Sequence, residues 1–185
     1  MSKPSSGHFS GTTGSIVNSK NLSQKSDSHA IIASKGIDTK EHPTKYKQLG
    51  SKKRKVLREK AKNRTITKEE YKRLHWQQRI DSRRKAGIEA FWAREKELIL
   101  RNLPTTRNWS SQQRTDILND KRPKYKGVTI QSHHTYSVAK YPHLANNGSL
   151  IYPATLYEHT NRWHARDFKT SLPGRPANYQ IKEDF

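Results

Sequence analysis

The stretch from Pro123 to Pro173 constrains this chain most, because it sets reactive side chains among short, punctuated elements. The run Val128-Thr129-Ile130 is β-branched, as strands prefer, and leads into the pair His133-His134. Five of the nine histidines, His133, His134, His143, His159 and His164, fall inside it. Imidazole is the commonest metal ligand and the side chain best suited to proton transfer near neutral pH. A cluster of this density points to metal-assisted or acid–base chemistry.

The local pattern assigns elements around the histidines. Lys124 to Gln131 alternates around Gly127, which predicts a two-stranded hairpin leading into His133. Asn146-Asn147-Gly148 is a turn signal, and Ser149-Leu150-Ile151-Tyr152 reads as another short strand. Pro153 suits the first turn of a helix over 154–163, which carries His159. The expected unit is strand, histidine pair, loop with asparagine, strand, helix with histidine. His143, in the loop, reads most simply as a loop residue.

Upstream, Thr67-Lys68-Glu69-Glu70 fits a capping box and predicts a helix start. Tyr71, Leu74 and His75 begin an apolar stripe that Ile88, Phe91, Trp92, Leu98 and Ile99 continue, with Gly87 as a hinge and Pro104 as the terminator. Trp76 and Trp92 read as helix-packing rather than base-stacking residues. Ser110 and Gln113 form a second cap, opening a short helix through Leu118.

Composition decides what surrounds this unit. Hydrophobic residues make up only 30% of the 185, and 37 Lys+Arg face 16 Asp+Glu for a net charge of +21. That balance favours a folded part with an unfolded tail, and a polyanionic partner whose condensed counterions a cationic surface releases. Residues 1–44, rich in Ser, Gly, Thr and Lys, read as a disordered leader with at most a transient helix near Ala30. Residues 45–104 read as a basic helical region. Its cationic run Lys52-Lys53-Arg54-Lys55 suits a phosphate-contacting arm, a solvated helix face or a nuclear-localisation-like patch. No apolar span suggests membrane insertion, and Met1-Ser2-Lys3-Pro4 lacks a Sec signal, so a soluble protein is expected, cytoplasmic or delivered by another secretion route. The lack of cysteine excludes thiolate metal sites and cysteine nucleophiles.

Taken in order, Ile130-Gln131-Ser132-His133-His134, Asn146-Asn147-Gly148, Tyr152-Pro153, Glu158-His159 and Trp163-His164 resemble the HNH/endonuclease VII (His-Me finger) superfamily. The resemblance is to the double-histidine nuclease domains at the ends of bacterial polymorphic toxins. It implies an α+β protein with a ββα-metal core in residues 105–185. The activity implied is metal-dependent endonuclease action with low sequence specificity, DNA being the favoured substrate over RNA. It further implies His134 as the general base and one divalent metal ion (Mg, Mn, Zn or Ni) held by His133 and His159. Asn147 would ligate that ion or orient its loop. His164 is a weaker candidate ligand, because a regular helix rotates it away from His159. A nucleic-acid substrate and an acidic immunity protein are the implied partners. Arg162, Arg166, Lys169 and Arg175, crowded after the helix, suit either phosphate contacts or the helix C-terminus. The competing expectation is a non-catalytic basic nucleic-acid-binding protein whose histidines are structural.

Overall fold

The computed structural model describes residues 36–185, so the expected helix near Ala30 and most of the leader lie outside the described residues. Residues 37–44 run alongside a later loop. There the His42 and Thr44 amides donate to the Lys140 and Ala139 carbonyls, and Ile37 packs against Tyr136, Tyr141, Leu144 and Leu150.

Three helices come first. Helix α1 (Ser51–Lys62) takes up the cationic run and buries one side chain, Leu57, against Leu49 and Leu74. Its charged faces remain in solvent. Helix α2 (Lys68–Leu100) starts on the expected capping box, the Thr67 hydroxyl accepting from the Glu70 amide and the Glu70 carboxylate from the Thr67 amide. Its 33 residues make a rod of roughly 50 Å at 1.5 Å per residue. The buried positions Leu74, Gln77, Ile80, Gly87, Phe91, Trp92 and Glu95 are spaced by three, four or seven residues, apart from the adjacent Phe91 and Trp92, so one side of the rod faces the rest of the protein. Helix α3 (Ser111–Leu118) opens on the expected box of Ser110 and Gln113.

Gly87 is not the expected hinge, since α2 runs through it unbroken. A Cβ there would lie 2.5 Å from the Ala145 carbonyl oxygen, and one on Gly148 would lie 2.7 Å from the Phe91 amide nitrogen. These two glycines let the helix and the loop at 145–148 touch backbone to backbone. Arg83 clamps the same loop, its Nη2 donating to the His143 carbonyl and to Asn146 Oδ1, each at 2.7 Å.

The strands are short. Strands β1 (Lys124–Tyr125) and β2 (Val128–Thr129) form the expected hairpin, antiparallel around Lys126 and Gly127. Both turn residues have positive φ, 47° and 80°, as the tight turn favoured between twisted strands requires. Strand β3 (Gln131–His134) pairs antiparallel with β4 (Ile151–Ala154), setting His133 opposite Tyr152 and His134 opposite Ile151.

Pro153 belongs to β4 rather than to the following helix. A two-stranded sheet has only edge strands, so a residue without an amide proton is tolerated there. The helix opens instead on Thr155, whose hydroxyl accepts from the Glu158 amide while the Glu158 carboxylate accepts from the Thr155 amide. From Glu158 to Trp163 it is a π-helix.

Phe91 and Trp92 of α2 share one core with Trp109, Ile117, Ile130 and Ile151, so the long helix backs directly onto the β3–β4 pair. The result is an α+β fold in which two antiparallel strands and a helix carry the histidines. Among the described residues no helix is long and apolar enough to cross a membrane.

Candidate metal centre and general base

Successive strand residues face opposite ways, and β3 uses this to divide the histidine pair. His133 turns inward and is 6% exposed. Its ring lies 4.5 Å from that of Trp163, 4.9 Å from His159 and 5.1 Å from His164. One ring nitrogen from each of His133, His159 and His164 lies within 4.8 Å of the others, a spacing that three ligands of one cation can adopt.

His164 therefore stands beside His159 and not rotated away from it, because the helix between them is not regular. A π-helix has more residues per turn than an α-helix, so side chains five apart share a face. The rings of His159 and His164 are 4.9 Å apart. The orientation of His164 is held from outside: its Nδ1 lies 2.7 Å from the Thr170 carbonyl, which can only accept, leaving Nε2 free to ligate.

His134 faces the other way. Its Nε2 lies 3.0 Å from the Ala145 carbonyl and must donate the proton, so Nδ1 carries the lone pair. Burial, only partly opposed by that hydrogen bond and reinforced by the positive charge of Arg84, pushes its pKa down to about 4. Burial likewise lowers His159 to about 4, helped by His164, and holds His133 well below its ordinary value. These three imidazoles are neutral at pH 7, the state that both ligation and proton acceptance require. The nitrogen donors of His133, His159 and His164 around one point fit a divalent transition-type cation.

The π-helix rests on a buried ion pair. Arg107 Nη1 and Nη2 reach the Glu158 carboxylate at 2.6 and 2.8 Å, and neither side chain is more than 1% exposed. The guanidinium also donates to the Pro153 and Phe185 carbonyls at 2.9 and 2.8 Å. Glu158 receives the Asp184 amide at 2.7 Å, so the chain's last residues brace the histidine helix. Sequence reasoning did not reach Arg107. The bidentate match to Glu158 depends on residues 51 positions apart, and no local spacing announces it.

The other sequence candidates are dispersed. Asn147 accepts the Ser149 amide on Oδ1 at 3.0 Å, which shapes the loop whose Ala145 carbonyl holds His134. Arg162 is buried and pairs with Glu183 at 2.7 Å. Arg166 is exposed and donates to Asn161, and Arg175 is exposed beyond the helix. Lys169 lines a cleft of about 390 Å³ together with His133, His134, His159, His164 and Arg84. Arg84 was not singled out from the sequence, since it stands among many cations on α2. His143, expected as a loop residue, forms a separate group with Asp38 and His42, its Nε2 lying 2.9 Å from the Asp38 carbonyl.

Residues 69–155 match a family described as "GHH signature containing HNH/Endo VII superfamily nuclease toxin". The matched residues contain one adjacent histidine pair, His133-His134, preceded by Ser132, whose hydroxyl accepts from Trp92 Nε1 at 2.9 Å. The match ends before His159 and His164. No curated protein and no solved structure matches the chain. The segment that holds the histidine pair, the strand that carries it and the long helix behind it is thus similar to the GHH-signature nuclease toxin domains of the HNH/Endo VII superfamily.

Proposed function

We propose that the protein is a metal-dependent endonuclease that hydrolyses phosphodiester bonds with little sequence preference, acting as a toxin and restrained by an acidic immunity partner. The observation that carries this reading is the division of the pair: His133 joins His159 and His164, while His134 stands beside them with a free Nδ1 on the same cleft.

His133, His159 and His164 would hold a divalent cation, which would supply positive charge to a phosphate oxygen and to a departing 3′ oxygen. His134 Nδ1 accepts a proton from water as the water oxygen bonds to phosphorus. The P–O3′ bond breaks on the opposite side. The Ala145 carbonyl holds the opposite ring nitrogen and stabilises the imidazolium that forms, and Arg84 and Lys169 on the cleft wall offer charge to neighbouring phosphates. His159 and His164 both belong to this ligand set. Low sequence preference follows from a surface whose cations meet phosphates rather than base edges, and DNA is the first substrate to test. The same surplus of positive charge suits an acidic neutralising partner.

The test is digestion of plasmid DNA and of folded RNA across Mg, Mn, Zn and Ni, with and without chelator, by the wild type and His134→Ala. Metal-dependent cutting that is lost in His134→Ala is expected. Equal cutting by the variant would remove the base assignment. No cutting of either polymer with any of the four metals would leave a nucleic-acid-binding protein with structural histidines.

A further inference from the structure

Phe168 is 62% exposed, an unfavourable position for a large apolar ring, and it stands at the rim of the histidine site. Its ring lies 5.0 Å from that of His164 and 5.8 Å from that of His159, with most of its surface open to solvent. The segment that presents it is tightly held. The His164 ring donates to the Thr170 carbonyl at 2.7 Å, the Arg166 amide to Thr160 at 2.8 Å, and the Asp167 amide to His164 at 2.8 Å. The Lys169 amide donates to the Asp167 side chain at 3.0 Å. Ala165 and Arg166, two successive residues with side chains, have φ of 46° and 68°, a region costing about 1 kcal/mol or more per residue. Strain and hydrogen bonds together fix an exposed aromatic beside the reacting centre. Lys169 follows it, Arg84 lies on the same cleft, and neither forms an ion pair with a described residue.

We propose that Phe168 is a stacking platform for an unpaired base next to the scissile phosphate, so that the site takes single-stranded or locally unpaired nucleic acid in preference to continuous duplex. Every base has a π face, so an aromatic platform binds without reading sequence, and flanking cations hold the backbone on either side. In a continuous duplex both faces of each base are already stacked and the ring has nothing to receive. The inference rests on the nuclease reading for the identity of the ligand.

The test uses binding, so that it survives a failure of catalysis. A His134→Ala protein is titrated with 2-aminopurine oligonucleotides of DNA and of RNA, single-stranded and as duplexes. In that background Phe168→Leu, which keeps apolar cover over the histidines without a π face, is expected to weaken single-strand binding about tenfold and to abolish 2-aminopurine quenching. Duplex binding stays unchanged, and Phe168→Trp restores both readouts. An unchanged thermal midpoint and metal affinity in Phe168→Leu show that the fold and the histidine cluster persist; if they change, Phe168→Trp alone decides, by deeper quenching and tighter single-strand binding than the parent. Equal loss on single strand and duplex, no loss, or no nucleic-acid binding at all overturns the platform. If the wild type cuts nothing while quenching and its loss are seen, the nuclease reading falls and the platform stands.

Discussion

A Cβ on Gly87 would sit 2.5 Å from the Ala145 carbonyl oxygen, the same oxygen that receives the His134 ring. The long helix thus reaches the candidate base through one backbone group. Gly87→Ala gains about 1 kcal/mol of helix propensity but forces the loop away, at a cost of roughly 1–3 kcal/mol for overpacking. Stability falls modestly, and kcat falls by more than the stability loss explains. Denaturant midpoints and single-turnover rates measured together check this, and an active, stabilised Gly87→Ala would refute the contact.

The π-helix makes a sharper prediction. Deleting Asn161, a half-buried residue whose side chain donates to the Tyr157 carbonyl and accepts from Arg166, leaves three residues between His159 and His164 and restores α-helical spacing. Metal affinity is then expected to change by less than in His159→Ala or His164→Ala if the helix re-forms regularly, because side chains four apart also share a face. The two alanine variants lose more than the roughly 10–100-fold that outer-shell changes cost. Competition with a chromophoric chelator measures all three, and full affinity in His164→Ala would take that residue out of the ligand set.

Arg107 and Glu158 form a buried pair that holds the same helix. Arg107→Ala strands an uncompensated carboxylate and is expected to destabilise by about 3–5 kcal/mol, whereas Arg107→Met with Glu158→Gln, which removes the charge but keeps an acceptor for the Thr155 and Asp184 amides, costs less. Chemical denaturation of the two variants separates these outcomes. Similar losses in both would mean that the pair is not what the surrounding structure depends on.

Stability should also depend on pH with a definite sign. In the unfolded chain His134 and His159 take up protons near the ordinary 6.5, but in the fold they stay neutral to about 4. Between those values the unfolded state binds more protons, so stability is full above about pH 6.5 and falls as pH drops towards 4. Thermal midpoints in metal-free buffer should follow that window, with a shallower slope in His134→Gln. A flat midpoint from pH 7 to 4.5 would contradict the burial assigned to these rings.

Nucleic-acid binding should weaken steeply with salt, by about 100-fold or more between roughly 50 and 200 mM, because phosphate contacts release counterions. A salt-independent affinity would place binding on base edges instead.

Much of this was open to reading from the chain alone, because its signals are local. The capping boxes at Thr67 and Ser110 set two helix starts, Lys126-Gly127 set a hairpin, and the order of His133-His134, Asn147 and His159 pointed to the nuclease family. Charge pointed to a polyanion without any fold. What the tertiary structure decided were matters of rotation and long-range approach. Pro153 entered a strand because β4 has a free edge, and Gly87 became a contact point because a loop 58 residues later packs against it. His164 joined His133 and His159 because the helix widened into a π turn while its neighbours Arg107, Asp184 and Thr170 held it. Sequence spacing sets direction only for a regular helix, and here the departure from regularity is maintained by partners far away in the chain.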